Sequence, residues 1–252
     1  TEVVGNCGFS PYPCGEKPEA LREFANGIFR GGARWRYGSA REYLTAVDRQ
    51  SSLMGVQSLV GHGSLRVGLF GNRQDRLSPA ELSRIEGALS DALVGGACGM
   101  STGLMYAPGS SAPFEELVAL CKVVARHGKI YTTHMRSYSF DLLESVDEQL
   151  RLARESGAKL QISHLQAVGK KNWDKQRRAL DRIEAARKDG LDVEFDIYPY
   201  QAGSTVLTQL LPQWTLDGGV DKMIERLKND RKRIAEETVK GMAGTWADIF
   251  IS

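Results

Sequence analysis

A repeating cycle constrains this chain more than any other feature: a helix-length amphipathic segment stops at a glycine and runs directly into a short apolar strand. Segments starting near Pro113, Phe140 and Trp173 end at Gly128, Gly157 and Gly190, and strands at 129–135, 159–165 and 192–198 follow. An earlier cycle opens on Ser78-Pro79-Ala80-Glu81, a capping box with proline at the first helical position. Leu82, Ile85, Leu89, Ala92 and Leu93 then recur at helical spacing, Gly95-Gly96 ends the segment, and a strand at 97–101 comes next. Further strands read at 2–6 and 57–61. Helices alternating with short strands that are apolar on both sides predict βαβ units and a parallel sheet. About six such strands are countable, whereas a closed barrel needs eight. The expected fold is therefore α/β, a partial (β/α)8 TIM-like barrel. The alternative is an open doubly wound sheet, although no strand-to-helix turn carries a complete G-x-G-x-x-G. Gly61-His62-Gly63 begins like one, but Arg66 stands where the third glycine belongs.

The length of 252 residues suits a single barrel-type domain spanning 1–252, with 203–252 read as a helical insertion or late-barrel excursion within it. The net charge of +2, with both signs well mixed, argues against a nucleic-acid partner and against a membrane patch. The basic cluster from Lys228 to Arg233 has no interleaved aromatics and reads as a solvated helix face. No apolar run approaches the roughly 18 residues of a membrane span, and no signal peptide is recognisable. Cys7, Cys14, Cys98 and Cys121 are sparse and irregularly spaced, which points to a reducing, cytoplasmic setting and not to a disulfide framework. The chain opens on Thr1, inside the hydrophobic stretch Val3-Val4-Gly5-Asn6-Cys7, as a piece of a longer protein would.

The four histidines can be weighed individually. His127 precedes the helix-ending Gly128, where the helix dipole and free carbonyls satisfy an imidazole structurally. His62 ends a strand in Val60-Gly61-His62-Gly63, where it either lines a site or bonds to backbone. His134 and His164 differ from both, because each closes a strand and they stand one complete strand–helix unit apart. They therefore occupy equivalent positions at the carboxyl ends of neighbouring strands, where barrel active sites are built. Cys7, between Gly5-Asn6 and Gly8, ends another strand. One thiolate and two imidazoles make a donor set suited to Zn²⁺ with a coordination position left open. A competing motif is Gly99-Met100-Ser101-Thr102-Gly103, which fits the G-x-S-x-G elbow of serine hydrolases. That elbow requires a helix immediately after the serine, and Pro108 and Gly109 forbid one before about Ser111, so the motif reads as a strand end entering a glycine-rich loop.

Taken in order, Gly5-Asn6-Cys7-Gly8, Val60-Gly61-His62-Gly63-Ser64-Leu65-Arg66, Gly99-Met100-Ser101-Thr102-Gly103-Leu104, Tyr106-Ala107-Pro108-Gly109, Thr133-His134-Met135-Arg136, Ile162-Ser163-His164-Leu165 and Tyr198-Pro199-Tyr200 resemble the N-acyl-D-amino-acid deacylases (D-aminoacylases). The resemblance runs from Val3 to about Trp214. It implies an amidohydrolase barrel joined to a small β-sandwich, and hydrolysis of the amide of an N-acylated D-amino acid, a small-molecule substrate. It assigns zinc to Cys7, His134 and His164, and substrate polarisation or positioning to Tyr198 and Ser204. It places Arg136 near the site, either pairing with a substrate carboxylate or forming an ion pair in the barrel rim.

Two departures stand out. The family's opening His-x-His pair and its closing catalytic aspartate have no counterpart, so the general base is expected outside this chain; Asp196 reads as structural. Gln166 stands where many relatives carry a lysine for the substrate carboxylate, and Lys170 or Lys171 could take over that role. The alternatives are a cyclic-amide hydrolase of the dihydroorotase or hydantoinase type and a non-catalytic barrel remnant. The 252 residues in isolation are expected to be inactive.

Overall fold

The computed structural model describes residues 1–25, 37–50 and 54–250. Six strands form one sheet: β1 (Glu2–Val4), β2 (Val56–Gly61), β3 (Gly99–Gly103), β4 (Ile130–His134), β5 (Lys159–Ile162) and β6 (Val193–Phe195). All are parallel, and their order in space is their order in the chain. A doubly wound sheet needs a switch point at which the order reverses. Here every crossover steps to the next strand in the same direction, which is the winding of a barrel.

Helices α1 (Pro18–Ala25) and α2 (Ala40–Gln50) lie between β1 and β2, and α3 (His62–Phe70) and α4 (Pro79–Val94) lie between β2 and β3. Then α5 (Phe114–Arg126), α6 (Leu142–Ser156) and α7 (Asp174–Lys188) each connect one strand to the next. Helices α4 to α7 pack side by side. The capping box predicted for α4 is present: Ser78 accepts from Glu81 N, and the Glu81 carboxylate accepts from Ser78 N at 2.8 Å. The stop signals act through backbone conformation, since Gly128, Gly157 and Gly190 have φ of 64°, 74° and 88°, a region closed to most side chains.

The register separates the two faces of the sheet. Val60, Met100, Tyr131, Leu160 and Val193 are neighbours across five strands, and none is more than 2% exposed. This row faces the helices, as the Tyr131 hydroxyl donating to Gln149 of α6 at 2.9 Å shows. The next row, Gly61, Ser101, Thr132, Gln161 and Glu194, is small or polar. The other face is mixed, because Leu59 and Ile130 lie on it beside these polar residues and Leu59 is fully buried.

Residues beyond 203 carry α8 (Val220–Asn229) and α9 (Arg231–Gly241), preceded by short 3-10 turns. The Trp214 indole donates to Glu237 at 2.7 Å, and Glu23 after β1 accepts from Val220 N at 2.7 Å. Lys228 to Arg233 are exposed, as read for a solvated face. Among the described residues no helix is long and apolar enough to cross a membrane.

Candidate metal centre

Three strand ends converge at the carboxyl edge of the sheet. Cys7 follows β1, His134 is the last residue of β4, and His164 follows β5. Their ligand atoms all lie within 4.8 Å of one another, and Cys7 Sγ is 3.8 Å from His164 Nε2. Among the described residues this is the one group of three or more His, Cys, Asp or Glu side chains so disposed. The two imidazoles meet nearly at right angles, with ring centroids 4.6 Å apart and an interplanar angle of 79°.

The backbone is forced into this arrangement. Cys7 (φ 56°) and His164 (φ 41°) are the only non-glycine residues with positive φ among those described, a conformation that persists only where the surroundings over-determine it. For Cys7 the surroundings are β3: Gly8 N donates to Ser101 Oγ at 3.0 Å, and the Ser101 hydroxyl donates to Gly5 O. A side chain at Gly103 would collide with the Cys7 carbonyl, and one at Gly99 with the Ile130 carbonyl. The G-x-S-x-G motif therefore serves close packing and anchors the Cys7 loop, and β3 runs into a turn, with α5 beginning only at Phe114. For His164 the anchor is Asp196, which accepts from His164 N at 2.6 Å through one oxygen and from Gln161 Nε2 at 2.9 Å through the other. Asp196 is thereby structural, as read.

Burial sets the protonation states. It pushes the His134 imidazole down to about 3, with the neighbouring His164 adding to the effect. His164 is lowered by burial too, against its backbone hydrogen bond and the Asp196 charge. Both rings are therefore neutral at neutral pH and have lone pairs to offer. Burial, then the Asp196 carboxylate, pushes the Cys7 thiol up to about 11, so a cation must displace its proton. Both ring nitrogens of His134 and Nδ1 of His164 are buried without a hydrogen-bond partner. Buried polar groups are ordinarily satisfied, so the donor set fits a zinc ion in chemistry and in its unmet valence.

The other predicted residues fall into two groups. Tyr198 is at the site: its hydroxyl donates to Gln166 Oε1 at 2.8 Å and its ring centroid is 6.4 Å from that of His164. Ser204 is exposed next to Gly203, whose backbone approaches the Tyr198 hydroxyl. Arg136 forms the rim ion pair: Nε donates to Glu148 at 2.8 Å, while Nη1 and Nη2 donate to the carbonyls of Ser110 and Ala112 at 2.7 Å each. Lys170 and Lys171 are exposed on a short 3-10 turn, Lys170–Asn172.

His127 caps α5 and bonds Ser90 Oγ at 2.9 Å, a structural role as expected. His62 requires a correction, because it opens α3 and bonds neither backbone nor a site. It is fully buried, with Nε2 2.8 Å from Glu116 Oε1, and Arg66 lies 3.5 Å from the same oxygen. Burial raises the Glu116 carboxyl, but the His62 hydrogen bond and the His62 and Arg66 charges outweigh it and hold it below the usual range. Sequence reasoning overlooked two rings packed on the centre: Tyr106, with its centroid 4.9 Å from that of His134, and Tyr138. Tyr106 stood in a quoted motif; Tyr138 lies in a loop with no periodicity to mark it.

No protein-family model matches the chain. It is 33% identical over 210 residues to a D-aminoacylase, and 36% identical over 208 residues to an N-acyl-D-glutamate deacylase, both of Alcaligenes xylosoxydans xylosoxydans; the alignments cover 83% and 81% of this chain. Its homologues are the D-aminoacylases. The chain spans about two-fifths of their length, 42% and 41% respectively. In three dimensions it matches the N-acyl-D-glutamate deacylase of Bordetella bronchiseptica, crystallised with zinc and a phosphonate mimic of the tetrahedral intermediate. That match has a TM-score of 0.71 at 34% identity and covers 79% of this chain and 41% of that one. The sheet is accordingly part of a D-aminoacylase-type barrel of the amidohydrolases.

Proposed function

We propose that the complete protein is a zinc-dependent D-aminoacylase that hydrolyses the amide bond of N-acyl-D-amino acids, releasing a carboxylate and a free D-amino acid. The observation that carries this reading is the convergence of Cys7, His134 and His164, whose donors lie within 4.8 Å of one another, with buried ring nitrogens that have no other partner. Held by these three residues, zinc supplies a Lewis acid that polarises a scissile carbonyl and lowers the pKa of water toward neutrality.

The chain's own residues prepare that chemistry. His134 and His164 present neutral nitrogens, and Cys7 gives up its proton as the cation enters. The Tyr106 and Tyr138 rings wall the imidazoles and keep water from their buried edges. Tyr198 and Ser204 position the substrate, with Gln166 a neutral donor beside them; Arg136 shapes the rim through Glu148. Asp196 commits both carboxylate oxygens to the scaffold, and the resemblance to the D-aminoacylases assigns the general base to an aspartate outside this chain. The names of the relatives favour a linear N-acyl substrate over a cyclic amide. Four free cysteines, one of them a ligand that must stay reduced, support a cytoplasmic location.

The test is metal content and turnover of the complete protein on N-acetyl-D- and N-acetyl-L-amino acids. About one or more zinc per chain, with D-selective amine release that chelation abolishes, is the expected result. Absence of bound metal, activity that survives chelation, or zinc retention in both His134→Ala and His164→Ala overturns the reading.

A further inference from the structure

Tyr138 touches both imidazoles of the metal centre. It stands four residues after His134, in the loop between β4 and α6, and is 4% exposed. The ladder between β4 and β5 ends at the pair Thr133 and Ile162, so both histidines lie just beyond it. There the Tyr138 hydroxyl stands between the two backbones. It accepts from Met135 N at 2.8 Å and donates to Ser163 O at 3.0 Å. Met135 directly follows His134, and Ser163 directly precedes His164.

The ring is held as firmly as the hydroxyl. Its centroid is 5.1 Å from that of His134, with the planes at 86°, and 4.9 Å from that of His164, with the planes at 61°. The Tyr138 carbonyl also accepts from Val168 N at 2.7 Å, tying its backbone to the segment that leaves His164. An edge-to-face ring resists rotation of the imidazole it meets, and this one meets two.

We propose that Tyr138 is the positioning residue of the metal centre: the inserted hydroxyl sets the spacing of the two histidine backbones, and the ring sets the planes of their imidazoles. It acts through the histidines and not on substrate, and the inference rests on the zinc reading above. Groups that orient metal ligands from outside the ligand shell typically change affinity 10–100-fold when altered.

The experiment compares wild type, Tyr138→Phe and Tyr131→Phe in the complete protein, reading zinc affinity by chelator competition and the visible spectrum of the Co(II)-loaded form. Tyr138→Phe keeps the ring and removes the bridge; zinc binding should weaken about 10–100-fold and the cobalt bands should move. Tyr131 is a fully buried tyrosine of β4, the strand that ends in His134, with its hydroxyl 2.8 Å from Thr102 and 2.9 Å from Gln149. Its loss should lower stability and leave both metal readouts in place. Wild-type affinity and spectrum in Tyr138→Phe, or an equal metal defect in Tyr131→Phe, overturns the proposal. A wild-type protein that takes up no zinc overturns the metal centre itself, which is a different outcome. Should Tyr138→Phe not fold, wild type labelled with 3-fluorotyrosine gives an independent reading. Of the eight tyrosines in these 252 residues, Tyr138, whose ring meets both imidazoles, must shift most on Co(II) loading; an undisplaced Tyr138 resonance also overturns it.

Discussion

Exchanging His134 for leucine should cost the metal-free protein little stability and abolish its response to zinc. Burial holds this imidazole neutral, with a pKa of about 3, and both ring nitrogens are without partners. A neutral ring has one donor and one acceptor, and each, desolvated and unpaired, costs about 1–3 kcal/mol. Leucine removes both penalties, a relief of about 2–6 kcal/mol. Against that stand an imperfect fit of up to about 1.5 kcal/mol and ring contacts with Tyr106, Tyr138 and His164, of about 0.5–1.5 kcal/mol for an aromatic pair. Three such pairs amount to about 1.5–4.5 kcal/mol, so the two sides nearly cancel and Tm should stay within roughly 8 °C of wild type for a chain of this size. Thermal unfolding of metal-stripped wild type and His134→Leu measures it. With zinc at about 100 times its Kd, wild type should gain about 2.7 kcal/mol, roughly 5–11 °C, and the variant nothing. A histidine with bonded ring nitrogens would instead leave its partners unsatisfied and lower Tm well beyond that. A fall of more than roughly 8 °C in metal-free His134→Leu, or a zinc shift that survives the substitution, refutes the reasoning.

Ser101→Ala should keep turnover in the complete protein and lose about 1–3 kcal/mol of stability, because the hydroxyl anchors Gly5 and Gly8; loss of all turnover in a folded, zinc-loaded variant would reinstate the serine as nucleophile. Zinc uptake should release about one proton, from the Cys7 thiol that burial holds near 11, since the imidazoles are already neutral. Affinity then rises about tenfold per unit between pH 7 and 8, and calorimetry in two buffers of different ionisation enthalpy counts the proton; a count of zero removes Cys7 from the ligand set. Glu116→Ala strands buried Arg66 and His62 and should cost about 3–5 kcal/mol in denaturant melts. Because the folded Glu116 pKa is lowered, its contribution is present above the unfolded value of about 4.3 and is lost as pH falls through the folded one. A gap between wild type and Glu116→Ala that widens on acidification contradicts this assignment.

How much of this was legible depended on whether a residue repeats with the fold. His134 and His164 could be matched from sequence because one βα unit separates them and each closes its strand. Helices α4 to α7 announced themselves through caps, glycine stops and apolar spacing. Helix α3 did not, since it is buried on nearly every side, from His62 through Gly68, and offers no polar face to read. Strands β1 and β6 are shorter than read, at three residues each, because each pairs along one edge only among the described residues. Arg136 and His62 show the other limit: their partners Glu148 and Glu116 lie on helices 12 and 54 residues away, and no local pattern links them. Tyr138 depends on a loop conformation that brings one hydroxyl between two strands, which spacing cannot express.

The separation between Cys7 and His164 sets a timetable for synthesis. Their side chains meet across 157 residues of chain, so at about 5–20 residues per second the ribosome delivers the last ligand roughly 8–30 s after the first. In the first part of that interval the sulfur of Cys7 has neither a histidine partner nor the β3 serine that bends its loop, and until its end the ligand set is incomplete. Strand pairings between distant segments form late in any case. The metal therefore cannot seed the barrel and can only seal it, and a nascent chain that meets an oxidant first would carry a damaged ligand into an otherwise well-formed sheet.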